Sequence, residues 1–126
     1  MPWMNYTSAL RRAEKSGRPL LLVFTVSGSP GEPSAKLLDA LENEPACQEL
    51  VLQKFSAVRI HTRLPIWHEE PEQRRVLKER FGIEGYPTMI VSPDGERCTR
   101  KLLGSPHVDS VRVFLEGTEL KGSVGR

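Results

Sequence analysis

Sulfur is scarce in this chain. Two cysteines, Cys47 and Cys98, occur in 126 residues, and they lie far apart. Neither has a neighbour at the spacing that metal ligation or dithiol chemistry requires. A structural disulfide would need their Cα atoms within about 7 Å. The sequence places Cys47 on a helix and Cys98 on a late strand, so both read as reduced, buried, small apolar side chains. Aromatics are few, at 6%. Long apolar runs are missing too. Leu20 to Phe24, the longest near the start, is far too short to cross a bilayer. Acids and bases are interspersed and leave a net charge of +2. That balance favours solubility and makes no case for nucleic acid or a membrane as partner. The N-terminus has no basic segment followed by an apolar one, so no signal peptide is visible. The expectation is a cytoplasmic protein, or a periplasmic one if a signal has been removed. No internal repeat appears.

What is present reads as one domain with one core. Tyr6, Ala9, Leu10 and Ala13 recur at i, i+3, i+4, i+7, a helix burying one stripe. Arg11, Arg12, Lys15 and Arg18 fall mostly off that stripe and read as a solvated basic face. Gly17 and Pro19 stop the helix. Leu20 to Thr25 is apolar without alternation, as in a strand covered on both faces. Val26 to Ser34 is a loop on composition. Leu37, Leu38 and Leu41, with Ser34 a turn earlier, mark a second helix, broken at Asn43-Glu44-Pro45. Pro45 suits the first turn of another short helix, with Cys47, Leu50 and Val51 inward. Phe55 to His61 reads as a second strand and Thr62 to Glu70 as a loop. Pro71 opens a helix carrying Val76, Leu77 and Phe81. Thr88 to Ser92 is a third strand, Pro93-Asp94-Gly95 a hairpin turn, and Arg97 to Leu103 the returning antiparallel strand. Ser105-Pro106 caps a last helix with Val108, Val111, Phe114 and Leu115. Leu120 to Arg126 is a frayed tail. Strands alternating with helices give an α/β domain, a sheet with parallel pairs and helices on both faces.

The order around Gly85-Tyr86-Pro87-Thr88 is unusual. A helix end leads to a tight corner, a proline and then a buried strand. Proline lacks an N–H and is tolerated in a sheet only at a strand's start or edge. A corner this tight favours a cis X–Pro bond.

Three segments in this order, Gly17 to Thr25, Phe81 to Thr88, and Ser92 to Gly95 followed by Gly104, resemble the thioredoxin superfamily. The resemblance runs from Trp3 to Leu115 and is strongest to the branch containing bacterial disulfide-isomerase-like domains. It implies a thioredoxin-like α/β fold over the whole chain, with a core at about residues 3–116 and a mixed four-stranded sheet. It also implies a Cys-x-x-Cys motif after the first strand. Counting forward from Phe24 puts those cysteines at Ser29 and Glu32; counting back from Leu37 and Leu41 puts them at Gly31 and Ser34. Neither alignment supplies sulfur. Exchange needs an attacking thiolate and a resolving thiol, so thioredoxin-type catalysis is not expected and no catalytic residue is assigned.

What the resemblance leaves is a docking surface. In the family, the backbone of the residue before the cis-proline pairs with an extended segment. Here that residue is Tyr86, flanked by Pro87 and Thr88. The expectation is a redox-inactive module that binds a peptide or protein segment, without cofactor or metal. The alternatives are a thiol–disulfide relative working through Cys47 or Cys98, and a scaffold with no surviving site. Lesser readings attach to His61 as a base for Ser29 or Ser34, to His61, His68, Glu69 and Glu70 as metal ligands against solvated loop residues, to Cys98 beside Arg97 and Arg100 as a low-pKa thiol against a strand-packed one, and to Trp67 as a partner anchor.

Overall fold

A computed structural model describes residues 3–27, 34–63, 71–104 and 107–117. The element order is α1 (Tyr6–Ser16), β1 (Leu20–Ser27), α2 (Ser34–Asn43), α3 (Pro45–Lys54), β2 (Ser56–Arg63), α4 (Glu72–Arg80), β3 (Thr88–Ser92), β4 (Arg100–Leu103) and α5 (Val108–Glu116). One four-stranded sheet runs in the order β2-β1-β3-β4. β1 pairs with β2 in parallel and with β3 antiparallel, and β3 with β4 antiparallel. The mixed sheet expected from the alternation is present. Met4 adds a single parallel bridge on the outer side of β2, opposite Val58.

β1 explains the unbroken apolar run. Its odd positions Leu21 and Val23 join Leu37, Leu41, Cys47, Val51, Phe114 and Leu115 in the layer under α2, α3 and α5. Its even positions Leu20, Leu22 and Phe24 join Ala9, Ala13, Leu77 and Ile90 in the layer under α1 and α4. A central strand facing two layers has no solvent side, so period-two alternation vanishes.

Helix ends are closed by local chemistry. Asn5 Oδ1 accepts the Ser8 N–H at 2.8 Å, an N-cap that satisfies one donor of the first turn. Gly17 adopts φ +77° and its N–H meets Ala13 O, the left-handed stop that glycine makes without strain. Long cations reach the C-terminal carbonyls of other helices. Arg18 donates to Leu52 O of α3, Lys54 to Glu116 O of α5, and Lys101 to Phe81 O and Gly82 O beyond α4. Each binds the negative end of a helix dipole.

Several boundaries differ from the sequence reading. Val26 and Ser27 extend β1, Ser34 opens α2, and Thr62 and Arg63 extend β2. Parallel pairing carries these polar residues along, Val26 opposite Thr62 and Ser27 opposite Arg63. Phe55 caps α3 rather than starting β2. The returning strand begins at Arg100, not Arg97. Asp94 Oδ1 accepts the Glu96 and Arg97 N–H groups at 2.9 and 3.0 Å, and Ser92 Oγ takes that of Gly95. Side-chain capture of these donors holds the segment in a turn instead of a ladder. Val108 is exposed at the start of α5, outside the buried stripe of Val111, Phe114 and Leu115. Ser105, Pro106 and the tail lie outside the described residues.

Those two N–H groups hold the Asp94 carboxyl down at about 2. A folded-state value below the unfolded one contributes stability that is complete above the unfolded value and is lost as pH falls. The turn's contribution therefore disappears between pH ~4 and ~2. Asp94→Asn removes that segment of the pH–stability profile measured by urea unfolding.

Candidate functional site

The corner at Tyr86-Pro87 forms at the C-terminal end of β1. β3 starts with Thr88 opposite Phe24, so one further step of register sets Pro87 beside Thr25. The Tyr86–Pro87 peptide bond is cis. Gly104 N–H donates to Pro87 O at 2.8 Å, and Thr88 Oγ1 donates to Gly85 O at 2.7 Å. Pro87 and Thr88 are buried, while Tyr86 is half-buried. Tyr86 Oη accepts from Lys78 Nζ at 3.2 Å, and that ammonium lies 5.9 Å from the ring centroid. Lys78 also donates to Thr62 Oγ1 at 3.3 Å, tying α4, β2 and the proline corner together.

The N-terminus of α2 meets the same place. Ser34 is buried, and its Oγ accepts the Val26 N–H at 2.9 Å. Ser34 and Pro87 thus stand against adjacent residues of β1. Ser29, Gly31 and Glu32 lie outside the described residues.

Thr25 and His61 are opposite each other in the β1–β2 register, and Thr25 Oγ1 lies 2.6 Å from His61 Nδ1. An Arg59 guanidinium nitrogen lies 3.4 Å from the same Nδ1. Arginine only donates, so Nδ1 accepts and the Thr25 hydroxyl donates to it. His61 is therefore paired with Thr25 and not with Ser34. The serine-nucleophile reading loses its base. His68, Glu69, Glu70 and Trp67 lie outside the described residues. Among the described residues no three His, Cys, Asp or Glu side chains gather as a metal site.

Neither cysteine reaches this site. Cys47 is fully buried in the core beneath α3. Burial pushes its thiol above the usual range, and the neighbouring Glu44 adds to the rise. Cys98 corrects the expectation of a strand-packed thiol. It is exposed, in the turn between β3 and β4, with Sγ donating to Arg100 O at 3.3 Å. The Asp94 turn that shortens β4 is what leaves it outside. Pro87 and Cys98 lie beyond opposite ends of β3, whose length of roughly 15 Å separates them. A thiol-specific reagent at neutral pH modifies Cys98 rapidly in the native protein. Cys47 reacts only through opening, about 100-fold slower or more, and the two rates converge in denaturant.

Comparison with known proteins agrees with this geometry. A model of the thioredoxin-like domain matches residues 6–107. The chain belongs to the thioredoxin-like domain family. Similar solved structures include a thioredoxin from Thermus thermophilus, 20% identical over 97% of this chain and 89% of that one, with a TM-score of 0.72. A DsbH oxidoreductase is 17% identical over 92% and 85%, with a TM-score of 0.71. A disulphide isomerase from Xylella fastidiosa Temecula1 is 17% identical over 95% and 98%, with a TM-score of 0.65. No functionally curated protein matches the chain by sequence. Likeness at these identities carries the fold, and function rests on the residues themselves.

Thr25 and Lys78 were not singled out by sequence. A threonine ending an apolar run and a lysine in a charged helix carry no local signal; only the strand pairing and the α4 packing bring them to the corner.

Proposed function

We propose that this domain binds an extended polypeptide segment along Tyr86-Pro87 and performs no thiol–disulfide exchange there. The observation that carries the reading is the backbone of Tyr86. Among the described residues no hydrogen bond meets its N–H or its carbonyl. Both neighbours of the corner are tied down, Thr88 to Gly85 and Pro87 to Gly104. A held corner with one open donor and one open acceptor suits strand-like pairing with an incoming chain. The chemistry of exchange is missing at that point: Ser34 supplies a hydroxyl, and the thiols are buried or at the sheet's other end. A hydroxyl is no substitute for a thiolate in attack on a disulfide.

The test is a titration of isotopically labelled protein with short extended peptides. The expected result is a set of amide shifts centred on Tyr86 and Thr88, with no insulin reduction above the dithiothreitol background. Unmoved amides at the corner would favour the scaffold reading. The exposure of Cys98 supports one competing reading, exchange through a mixed disulfide with a partner thiol. Turnover that disappears in Cys98→Ala would establish that reading and displace ours.

A further inference from the structure

The outer face of α1 is cationic, and nothing in the described fold answers it. Ser8, Arg11, Arg12 and Lys15 follow the i, i+3, i+4, i+7 spacing, which puts them on one face of the helix. The apolar stripe of Ala9 and Ala13 occupies the opposite side, buried against the sheet. Arg11, Arg12 and Lys15 are all exposed. They border a shallow depression of about 390 Å³ together with Ser8 and Ser16.

Other cations of the domain are engaged. Arg75 and Arg112 each bridge two carboxylates. Arg80 and Arg97 pair with Glu96 and Asp94. Arg18, Lys54 and Lys101 hold helix carbonyls. By contrast, Arg11, Arg12 and Lys15 meet no oxygen among the described residues, and Arg12 touches only Met4 Sδ, at 3.8 Å. Like charges at i, i+4, such as Arg11 and Lys15, destabilise a helix. Here that repulsion has no intramolecular compensation.

We infer that this face docks an acidic polypeptide segment, one whose carboxylates recur at about one helical turn. Arg11 and Lys15 are about 6 Å apart along the axis, the spacing of Asp or Glu at i, i+4 on a partner helix. Three cations fall short of the six to ten phosphate contacts of a typical nucleic-acid site, and no aromatic side chain stands on this face to stack a base. Insertion into a lipid surface needs an apolar face, and the apolar face of α1 is consumed by the core. The surface is independent of the Tyr86 corner, so either can fail alone.

The probe is an alanine-based helical peptide with glutamates at i, i+4, fluorescently labelled and titrated at low salt. The expected result is binding that shifts the α1 amides from Ser8 to Ser16, weakens with added salt, and drops about tenfold in the triple variant Arg11→Gln, Arg12→Gln, Lys15→Gln. The variant keeps or slightly raises the melting temperature, because it removes repulsion and no contact. Shifts away from α1, binding indifferent to salt, an unaffected triple variant, or no binding at all would overturn the inference. So would tighter binding of a single-stranded oligonucleotide, or of vesicles containing phosphatidylserine, than of the glutamate peptide.

Discussion

Phe24→Ala is expected to destabilise the domain by about 3–5 kcal/mol. Phe24 is fully buried in the layer under α1 and α4 and lies in the middle of the sheet, paired with Ile60 on one side and Thr88 on the other. Truncation removes the transfer free energy of the ring and leaves a cavity. Strand pairing on both sides holds the backbone in place, so the cavity cannot close. Against a total of about 5–15 kcal/mol for a typical domain, that loss leaves a marginal fold. Urea unfolding checks it: the midpoint falls while the slope stays the same. Leu103→Ala is the control. Leu103 is 59% exposed, and its truncation is expected to shift stability by about 0.5 kcal/mol or less. A Phe24→Ala loss as small as that would contradict the two-layer core. Phe24 also immediately precedes Thr25 and Val26, the residues against which Pro87 and Ser34 are placed. Residual Phe24→Ala protein is therefore expected to show disturbed amides at Thr88 as well as in the core.

How far the chain could be read in advance follows from where each signal resides. The β1 run and the α1 stripe are local patterns, and both formed where expected. Gly85-Tyr86-Pro87-Thr88 was legible because proline at a strand's start is a strong constraint on the backbone. The turn from Gly95 to Thr99 was misread because Asp94 acts through its side chain. A pattern of apolar and polar residues carries no record of an oxygen taking two backbone donors. That one misreading also misplaced Cys98, which moved from an expected strand interior to the surface. The Thr25–His61 pair depends on the parallel register of β1 and β2, which is set by packing over the whole sheet. The site was thus half legible: Ser34 and Pro87 by family pattern, Thr25, His61 and Lys78 only as neighbours in space. The same limit applies to the basic stripe of α1. Its spacing is visible in the sequence, yet only the fold reveals that these three cations lack the oxygens other cations find.

Gly95→Ala is expected to cost about 2–4 kcal/mol, from two separable sources. Gly95 is buried at φ +81°, a conformation that burdens any side chain. A methyl group there would also collide with the Tyr6 phenol oxygen, with Leu10 close behind. Backbone adjustment is restricted, because the Gly95 N–H is held by Ser92 Oγ and its carbonyl by Arg80 Nη1, both at 2.8 Å. The ring of Tyr6 must move instead, and it packs against the α1–α4 layer. Gly82→Ala separates the two terms. Gly82 has φ +61° but open space where its methyl would go, so it carries the backbone cost alone, about 1 kcal/mol. The excess of Gly95→Ala over Gly82→Ala measures the collision. Trimming Tyr6 to alanine in the Gly95→Ala background is expected to recover that excess while adding its own packing loss, a non-additivity that a double-mutant cycle reads directly. Equal losses for the two glycine variants would mean that Tyr6 does not abut the turn. The contact that joins α1 to the β3–β4 hairpin would then have to be redrawn.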